Sequence, residues 1–365
     1  MKKLAIVLAA LPAAAAVQAQ SSVNVYGLID AGVEVVNHAG ASGSGTLTRL
    51  TSGGMNTSRF GFRGSEDLGG GLKAIFQLEG GIFIDNGTSD GNLFGRQANV
   101  GLEGGFGRLV AGRSFTTAYD FMLPFDPMGY APNYSWATGA HGSPTANTAP
   151  VTPVNRYQMT TAASNLLKYQ GTFGGFKVGA TYAFGEQPGH TGDSAVAMLG
   201  VGYGAGPFSA ALTVERANGN TLAAGGRDKT NSAHAGVAYT ISDAWSVKAG
   251  YRYFKRDNAA VADLRGDTMW AGVNWQATPA LGLTAAVYHV NVKDTSLGLP
   301  EADPTLVVLR AKYALSKRTD LYAVTGHARA RNGQFVGLTR DAGPQGVTGF
   351  ADTQTGVMVG VQHRF

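Results

Sequence analysis

Residue types suited to covalent or metal chemistry are sparse and scattered in this sequence. It contains no cysteine, and no two of its seven histidines form a close pair with metal-ligand spacing. The segment SDGN (89–92) begins like a calcium loop but lacks the later ligands and the closing glutamate. No nucleophile has an evident partner base, so we predict no metal, no cofactor and no catalytic residue. The histidines are His38, His141, His190, His234, His289, His327 and His363.

Charged side chains instead alternate regularly with apolar ones. In SRFGFRGSEDLGGGLKAIFQLE (58–79), Arg59 and Arg63 alternate with Phe60 and Phe62, and the alternation resumes after GSEDLGGG. A period of two is typical of a β-strand, and a Gly-rich interruption is typical of a tight turn. The segment therefore predicts a hairpin with one apolar face and one charged face.

The first nineteen residues have the pattern of a secretory signal peptide. A basic start, MKK, precedes the apolar run Leu4–Val17, and Val17 and Ala19 occupy the positions that must be small for cleavage. The run is shorter than the roughly 20 residues that a transmembrane helix needs. We expect cleavage after Ala19. Residues 20–365 then carry 27 basic and 24 acidic side chains, an excess too small to predict binding to nucleic acid.

The hairpin pattern recurs along the rest of the chain, where no long segment has a 3.6-residue period. Short Gly, Pro or Asp turns alternate with longer polar loops, and the count of strands between them is sixteen. This count is uncertain by two, because the regions around 164–170 and 280–292 alternate poorly. Clear examples are FKVGATYAF (176–184), FSAALTVE (208–215), WSVKAGYRYFK (245–255), MWAGVNW (269–275) and VVLRAKY (307–313).

Two architectures bury such strands. A soluble sandwich packs the apolar faces of two sheets together, whereas a transmembrane barrel turns them toward lipid and encloses polar groups and water. Three features favour the barrel. Short turns alternate with long loops, aromatic residues lie near strand ends, and the last strand ends in an aromatic residue. We predict one all-β domain, a sixteen-stranded antiparallel transmembrane β-barrel. The aromatic residues near strand ends are Tyr26, Tyr169, Tyr239, Trp275 and Tyr313.

From end to end of the mature chain, several segments together resemble the general diffusion porins of β-proteobacteria. The resemblance implies a homotrimer in the Gram-negative outer membrane, and a water-filled pore for ions and small hydrophilic solutes. It also implies a third loop folded into the pore, and that Phe365 is the terminal aromatic residue read by the outer-membrane assembly machinery. The segments are SSVNVYGLIDAGVEVV (21–36), 58–79, LFGRQANVGLEGGFGRLVAGR (93–113), YDFMLPFDPMG (119–129), 164–186 and VGVQHRF (359–365).

The third loop lies between residues 113 and 155, where no strand pattern survives and six of the 13 prolines fall. From the residues alone, a mobile surface loop and a functional loop are equally good interpretations. The resemblance favours a loop in the lumen, with Asp120 and Asp126 at the constriction. It also implies an opposing basic wall. Its members are Arg59, Arg63, Arg96 and Arg156.

Arg96 requires a special position in this arrangement. It has the same parity as Ala98 and Val100, which should face lipid. A charge on the lipid face costs about 2–4 kcal/mol at mid-membrane. The prediction therefore needs a bend at Gly95 or a place at the rim.

The predicted lumen face carries more basic than acidic side chains, which indicates a mild preference for anions because lumen charge tunes selectivity. A channel specific for one solute, a barrel enzyme and a purely structural or adhesive barrel are the alternatives. The predicted lumen residues are Arg59, Arg63, Lys73, Glu79, Lys177, Glu215, Lys248, Arg252, Arg310 and Lys312.

Overall fold

The chain forms one antiparallel sheet whose last strand pairs with its first, so that the sheet closes on itself. A computed structural model describes residues 22–39, 43–139, 157–295, 300–334, 336–338 and 351–365. The predicted signal peptide, residues 1–19, and Arg156 lie outside the described residues.

The wall has sixteen strands, which confirms the predicted barrel. β5 is a two-residue extension, and β2 and β3 pair with successive halves of β1 as one wall strand interrupted at residues 53–58. The strands are β1 (Ser22–Asn37), β2 (Thr46–Ser52), β3 (Arg59–Gly69), β4 (Leu72–Phe83), β5 (Thr88–Ser89), β6 (Gln97–Gly104), β7 (Gly107–Phe115), β8 (Ala162–Phe173), β9 (Phe176–Ala183), β10 (Val196–Ala205), β11 (Phe208–Asn218), β12 (Lys229–Thr240), β13 (Trp245–Asp257), β14 (Leu264–Gln276), β15 (Leu281–Asp294), β16 (Thr305–Ala314), β17 (Thr319–Arg329) and β18 (Thr353–Arg364).

After β7, the helix α1 (Thr117–Met122) continues into a 3₁₀ turn (Leu123–Phe125). Within the described ranges, no helix is long and apolar enough to cross a membrane. The sequence analysis missed α1, because a six-residue helix is too short to establish a helical period.

The register of β3 and β4 explains the charged and apolar faces of the first hairpin. Phe60 pairs with Gly80 and Phe62 with Leu78, while the intervening positions face the lumen. The predicted turn is present at residues 69–71, where three successive glycines have positive φ angles of +87°, +62° and +80°. L-residues with a side chain rarely adopt this conformation, so the glycines permit the turn.

The outer face is apolar along its middle and aromatic near the short turns. Trp245 and Trp275 are paired across β13 and β14 and stack with their ring centroids 5.0 Å apart. Phe176 and Tyr203 pack together at the same rim, with centroids 4.7 Å apart. Aromatic residues at this level are typical of a barrel girdle at the membrane interface.

The seam between β1 and β18 is closed by backbone and side-chain bonds. Gly27 and Phe365 exchange two backbone hydrogen bonds of 3.1 Å each. The fully buried Asp30 carboxylate accepts from Tyr322 Oη at 2.7 Å and Gln362 Nε2 at 3.0 Å. It also accepts from two backbone amides of the 53–58 interruption. Asp30 thus joins β1 to β17, β18 and the interrupted strand.

The interior departs from the polar surface expected of a water-filled barrel. On β15 the inward positions Ala286, Tyr288, Val290 and Val292 are buried and mostly apolar. They pack with residues of the segment after β7, including Trp136. Residues 280–292 alternate poorly because the inward face of β15 packs against apolar residues of the third loop, while its outward face belongs to the apolar outer surface.

Candidate functional site

The segment after β7 leaves the wall and lies against its inner face. Thr116 caps α1 by accepting a hydrogen bond from the amide of Tyr119 at 3.3 Å. The next turn buries Phe121 against β9 and β10. The glycines facing it are required there, since a Cβ on Gly179 would lie 2.7 Å from the Phe121 ring.

Beyond α1 the third loop follows the inner wall toward β1. The carbonyl of Phe125 accepts from Trp270 Nε1 on β14 at 2.9 Å. Tyr134 donates to Glu34 on β1 at 3.1 Å. Trp270 and Glu34 both lie on the inward face of their strands, so these bonds attach the loop to two distant parts of the wall.

Asp126, predicted at the constriction, is fully buried inside the loop and does not present its charge to water. Its carboxylate accepts from the amides of Met128 and Tyr130, from Ser135 Oγ at 2.7 Å and from the Tyr288 hydroxyl on β15. Four donors saturate the carboxylate, so Asp126 stabilises the loop and ties it to the wall. Sequence parity could not show this, because the bonds form within an irregular segment.

Asp120 lies closer to the expectation, since its side chain is a quarter exposed. It accepts from Lys168 Nζ at 2.8 Å and from Gln170 Nε2 at 2.7 Å. Both partners are on the inward face of β8. The one partly exposed acid of the loop is therefore paired with a cation that the sequence analysis did not single out. Its inward parity on β8 was the available signal.

The structure brings Arg59 and Arg96 together around Glu79. Arg96 Nε lies 2.7 Å from the Glu79 carboxylate, and Arg59 Nε lies 3.8 Å from it. Tyr26 donates to the same carboxylate at 2.9 Å. Glu79 is almost fully buried, so an acid within the wall partly neutralises the predicted basic wall. Arg63 is not part of this cluster and lies exposed, 5.0 Å from the Tyr26 ring centroid.

Arg96 lies outside the regular alternation of β6, which removes the parity conflict. It precedes β6, and its amide donates to the carbonyl of Glu79 at 3.2 Å. Its guanidinium lies 5.1 Å from the Phe115 ring centroid. The side chain can therefore turn inward although Ala98 and Val100 face outward.

Aromatic rings of the third loop lie beside these arginines. Tyr119 stacks on Phe115 with centroids 4.3 Å apart, and interacts electrostatically with Arg59 and Arg96. Burial raises the pKa of the Tyr119 hydroxyl, and it raises the pKa of Tyr130 well above its usual value. Both phenols are therefore neutral near pH 7.

A second charged group fastens the other end of the loop. Arg252 on β13 is fully buried and donates to the carbonyl of Ala137 and to Thr268 Oγ1. Glu215 on β11 accepts from Thr160, where the chain approaches β8. These two predicted lumen charges face inward, but Arg252 contacts the loop and Glu215 contacts the segment that follows it. Among the described residues, no group of three His, Asp or Glu side chains could hold a metal ion.

A closed sixteen-stranded wall that is apolar outside, carries charge inside and holds an inner loop defines an outer-membrane β-barrel channel. A family model described as Gram-negative porin matches residues 4–333. The chain therefore belongs to the Gram-negative porin family, and it is an outer-membrane diffusion channel.

Similar proteins cover the whole chain. Outer membrane porin protein 32 of Delftia acidovorans is 33% identical over 376 aligned positions, covering 100% of both chains. An outer membrane porin of Bordetella pertussis is 32% identical over 423 positions, again covering 100% of both. The solved anion-selective porin from Comamonas acidovorans superposes with a TM-score of 0.78 and 27% identity, covering 95% of this chain and 100% of that one.

Proposed function

We propose that this porin is a homotrimer whose open pore passes small hydrophilic solutes passively, with a mild preference for anions and without enzymatic activity. The anion preference is inferred from an imbalance in how the lumen charges are paired. The acids Glu79, Asp120, Asp126 and Glu215 all accept hydrogen bonds from the protein. Within the described ranges, several inward cations have no carboxylate at ion-pair distance. They are Arg63, Lys73, Lys177, Lys248 and Arg310.

Unpaired cations favour anions because fixed charge in a narrow aqueous path raises the concentration of the opposite ion. In this proposal Arg59, Arg63 and Arg96 border the narrowest part on the wall side. Tyr119 and Asp120 border it on the loop side. Asp126 acts indirectly by holding the loop in place. Arg156 remains a predicted member of the basic wall.

The homotrimer is proposed from a protein of similar fold, and the cleavage of the signal peptide is proposed from the sequence. One solved structure of similar fold, with a TM-score of 0.65 and 17% identity, is the trimer form of a Vibrio cholerae outer membrane protein. We propose that residues 1–19 are cleaved on export. Sequencing of the protein isolated from outer membranes should then begin at Gln20.

The test is reconstitution into a planar lipid bilayer under a potassium chloride gradient. We expect large ohmic current steps in groups of three, and a reversal potential with the sign of anion preference. A reversal potential of the opposite sign would contradict the anion preference alone. The absence of any conductance from a folded, heat-modifiable barrel would contradict the open pore. Saturation of the flux by one solute but not by others of the same size and charge would favour the solute-specific channel.

A further inference from the structure

We propose that Lys248 and Arg310 form a binding site for a small oxyanion on the pore wall beside the third loop. Lys248 is on β13 and Arg310 is on β16, and both face inward. The site rests on the proposed function, because its ligand would reach it through the open lumen. It is separate from the Arg59 and Arg96 cluster, which lies on the opposite side of the barrel around β3, β4 and the start of β6.

The loop edge lies between the two cations. Pro127 packs over Gly272 on β14, where a Cβ would lie 2.6 Å from the proline ring. The carbonyl of Pro127 accepts from Asn274 Nδ2 at 3.4 Å. Lys248 pairs with Gly272, and Arg310 pairs with Thr284, which in turn pairs with Asn274. The register of the four strands thus places one cation on each side of the loop edge, on the inward face of the sheet.

Both cations have donors that no acceptor among the described residues uses. In the part of the chain that the structure describes, Lys248 makes no hydrogen bond and no ion pair. Arg310 donates only from Nη2, to Thr284 Oγ1 at 2.8 Å. That bond orients the guanidinium and leaves Nη1 without a protein partner, while Nε is buried without an acceptor. Buried donors are nearly always bonded, so this arrangement indicates an acceptor that the described residues do not supply.

The nearest carboxylate cannot take that place. Asp126 lies within electrostatic range of Lys248 and of Arg310. However, its two oxygens already accept from four donors of the loop and β15. Two cations therefore face one saturated carboxylate, and this part of the inner wall keeps an excess of positive charge. Both side chains are partly exposed, so an anion in the lumen can reach them.

The chemistry of the two groups favours an oxyanion over chloride. A guanidinium presents donors in a planar fork that matches two oxygens on one centre, and the lysine supplies a point charge. Carboxylates and phosphates share this geometry. The probe is inorganic phosphate, which carries a larger charge than a simple carboxylate and can be added in steps while the chloride current is recorded.

The experiment measures chloride current through the complete reconstituted channel while phosphate is added at constant ionic strength and pH 7. We expect phosphate to reduce the wild-type current saturably. Lys248→Met and Arg310→Gln should each raise the half-blocking phosphate concentration about fivefold, as expected for the loss of about 1 kcal/mol of charge interaction. Arg310→Lys keeps the charge but not the fork. It should weaken the phosphate effect although the positive charge is kept.

Lys312→Met is the matched control. Lys312 lies two residues from Arg310 on the same face of β16, but is paired with Asp320 at 3.8 Å and is nearly half exposed. It should change the half-blocking concentration by less than about twofold, because an exposed pair contributes little. Heat-modifiable migration verifies that each variant is folded.

The outcomes separate the two proposals. A wild-type channel that does not conduct overturns the proposed function. A conducting, anion-preferring channel that phosphate does not block overturns the oxyanion site alone. The same conclusion follows if Lys248→Met and Arg310→Gln leave the block unchanged, or if Lys312→Met weakens it equally.

Discussion

At the scale of single residues, Glu79 determines how much of the arginine charge an ion experiences. It lies between Arg59 and Arg96, and its carboxylate is the acid closest to both. Glu79→Gln keeps the shape and removes one negative charge. A unit charge about 7 Å from an ion in a water-like medium contributes about 0.6 kcal/mol. Because salt screens part of this, we expect the anion-to-cation permeability ratio, measured by reversal potential, to rise about threefold.

Glu103→Gln is the control for this prediction. Glu103 pairs with Arg108 at 3.3 Å near the short turn between β6 and β7, with both side chains nearly half exposed. Glu103→Gln removes the same charge at a place away from the arginine cluster, so the permeability ratio should stay close to that of the wild type. Equal shifts in the two variants would show that net charge, and not the position of Glu79, governs selectivity.

At the scale of elements, the third loop is held to the wall by a few strong contacts, one of which can be removed alone. Tyr288→Phe deletes the hydroxyl that joins β15 to the Asp126 carboxylate. A hydrogen bond to a charged group contributes about 1.5–3 kcal/mol. We expect the loop to detach more often. Open-channel noise and the frequency of voltage-induced closures, both recorded in single-channel traces, should therefore increase.

Tyr322→Phe makes the same chemical change at another buried carboxylate. Tyr322 donates to Asp30 at the seam and forms no hydrogen bond with the part of the loop that the structure describes. We expect a lower unfolding temperature but channel noise near that of the wild type. If both variants were equally noisy, barrel instability and not loop attachment would explain the result for Tyr288.

At the scale of the whole molecule, closure depends on the last residue in two separable ways. The backbone of Phe365 bonds to Gly27, and its ring lies over the same glycine. Phe365→Ala keeps the backbone bonds and removes the ring. If the ring is also the assembly signal, the variant should refold in detergent but accumulate poorly in outer membranes. The check is heat-modifiable barrel in membrane fractions against refolded protein.

Phe365→Trp supplies the comparison, since it retains a terminal aromatic residue and should restore assembly in cells. Deletion of residue 365 also removes the two backbone hydrogen bonds, and should reduce refolding in detergent as well. Normal accumulation of Phe365→Ala in cells would leave Phe365 as a lipid-facing strand residue only.

Sequence patterns predicted the wall well because a strand with one lipid face has a strict period of two. The patterns were least informative where inward residues pack against the third loop. The sequence of β15 alternates poorly because its inward residues pack against the loop. The sequence indicated Asp126 as a pore acid because its four hydrogen-bond donors are distant in sequence or lie within an irregular segment. Arg59, Arg96 and Asp120 were predicted as charges of the lumen, but their partners Glu79 and Lys168 depend on register between strands.

The apolar packing between the third loop and β13–β18 makes the barrel mechanically unequal around its circumference. On that side, interlocking side chains such as Trp136, Trp270 and Tyr288 back the sheet from within. Around β3, β4 and β6 the interior holds charged groups, so backbone hydrogen bonds and a few ion pairs maintain the shape of the wall. Lateral pressure from the bilayer should therefore flatten the arginine side before it deforms the packed side. The pore's width would then respond to membrane tension mainly through the strands that carry Arg59 and Glu79.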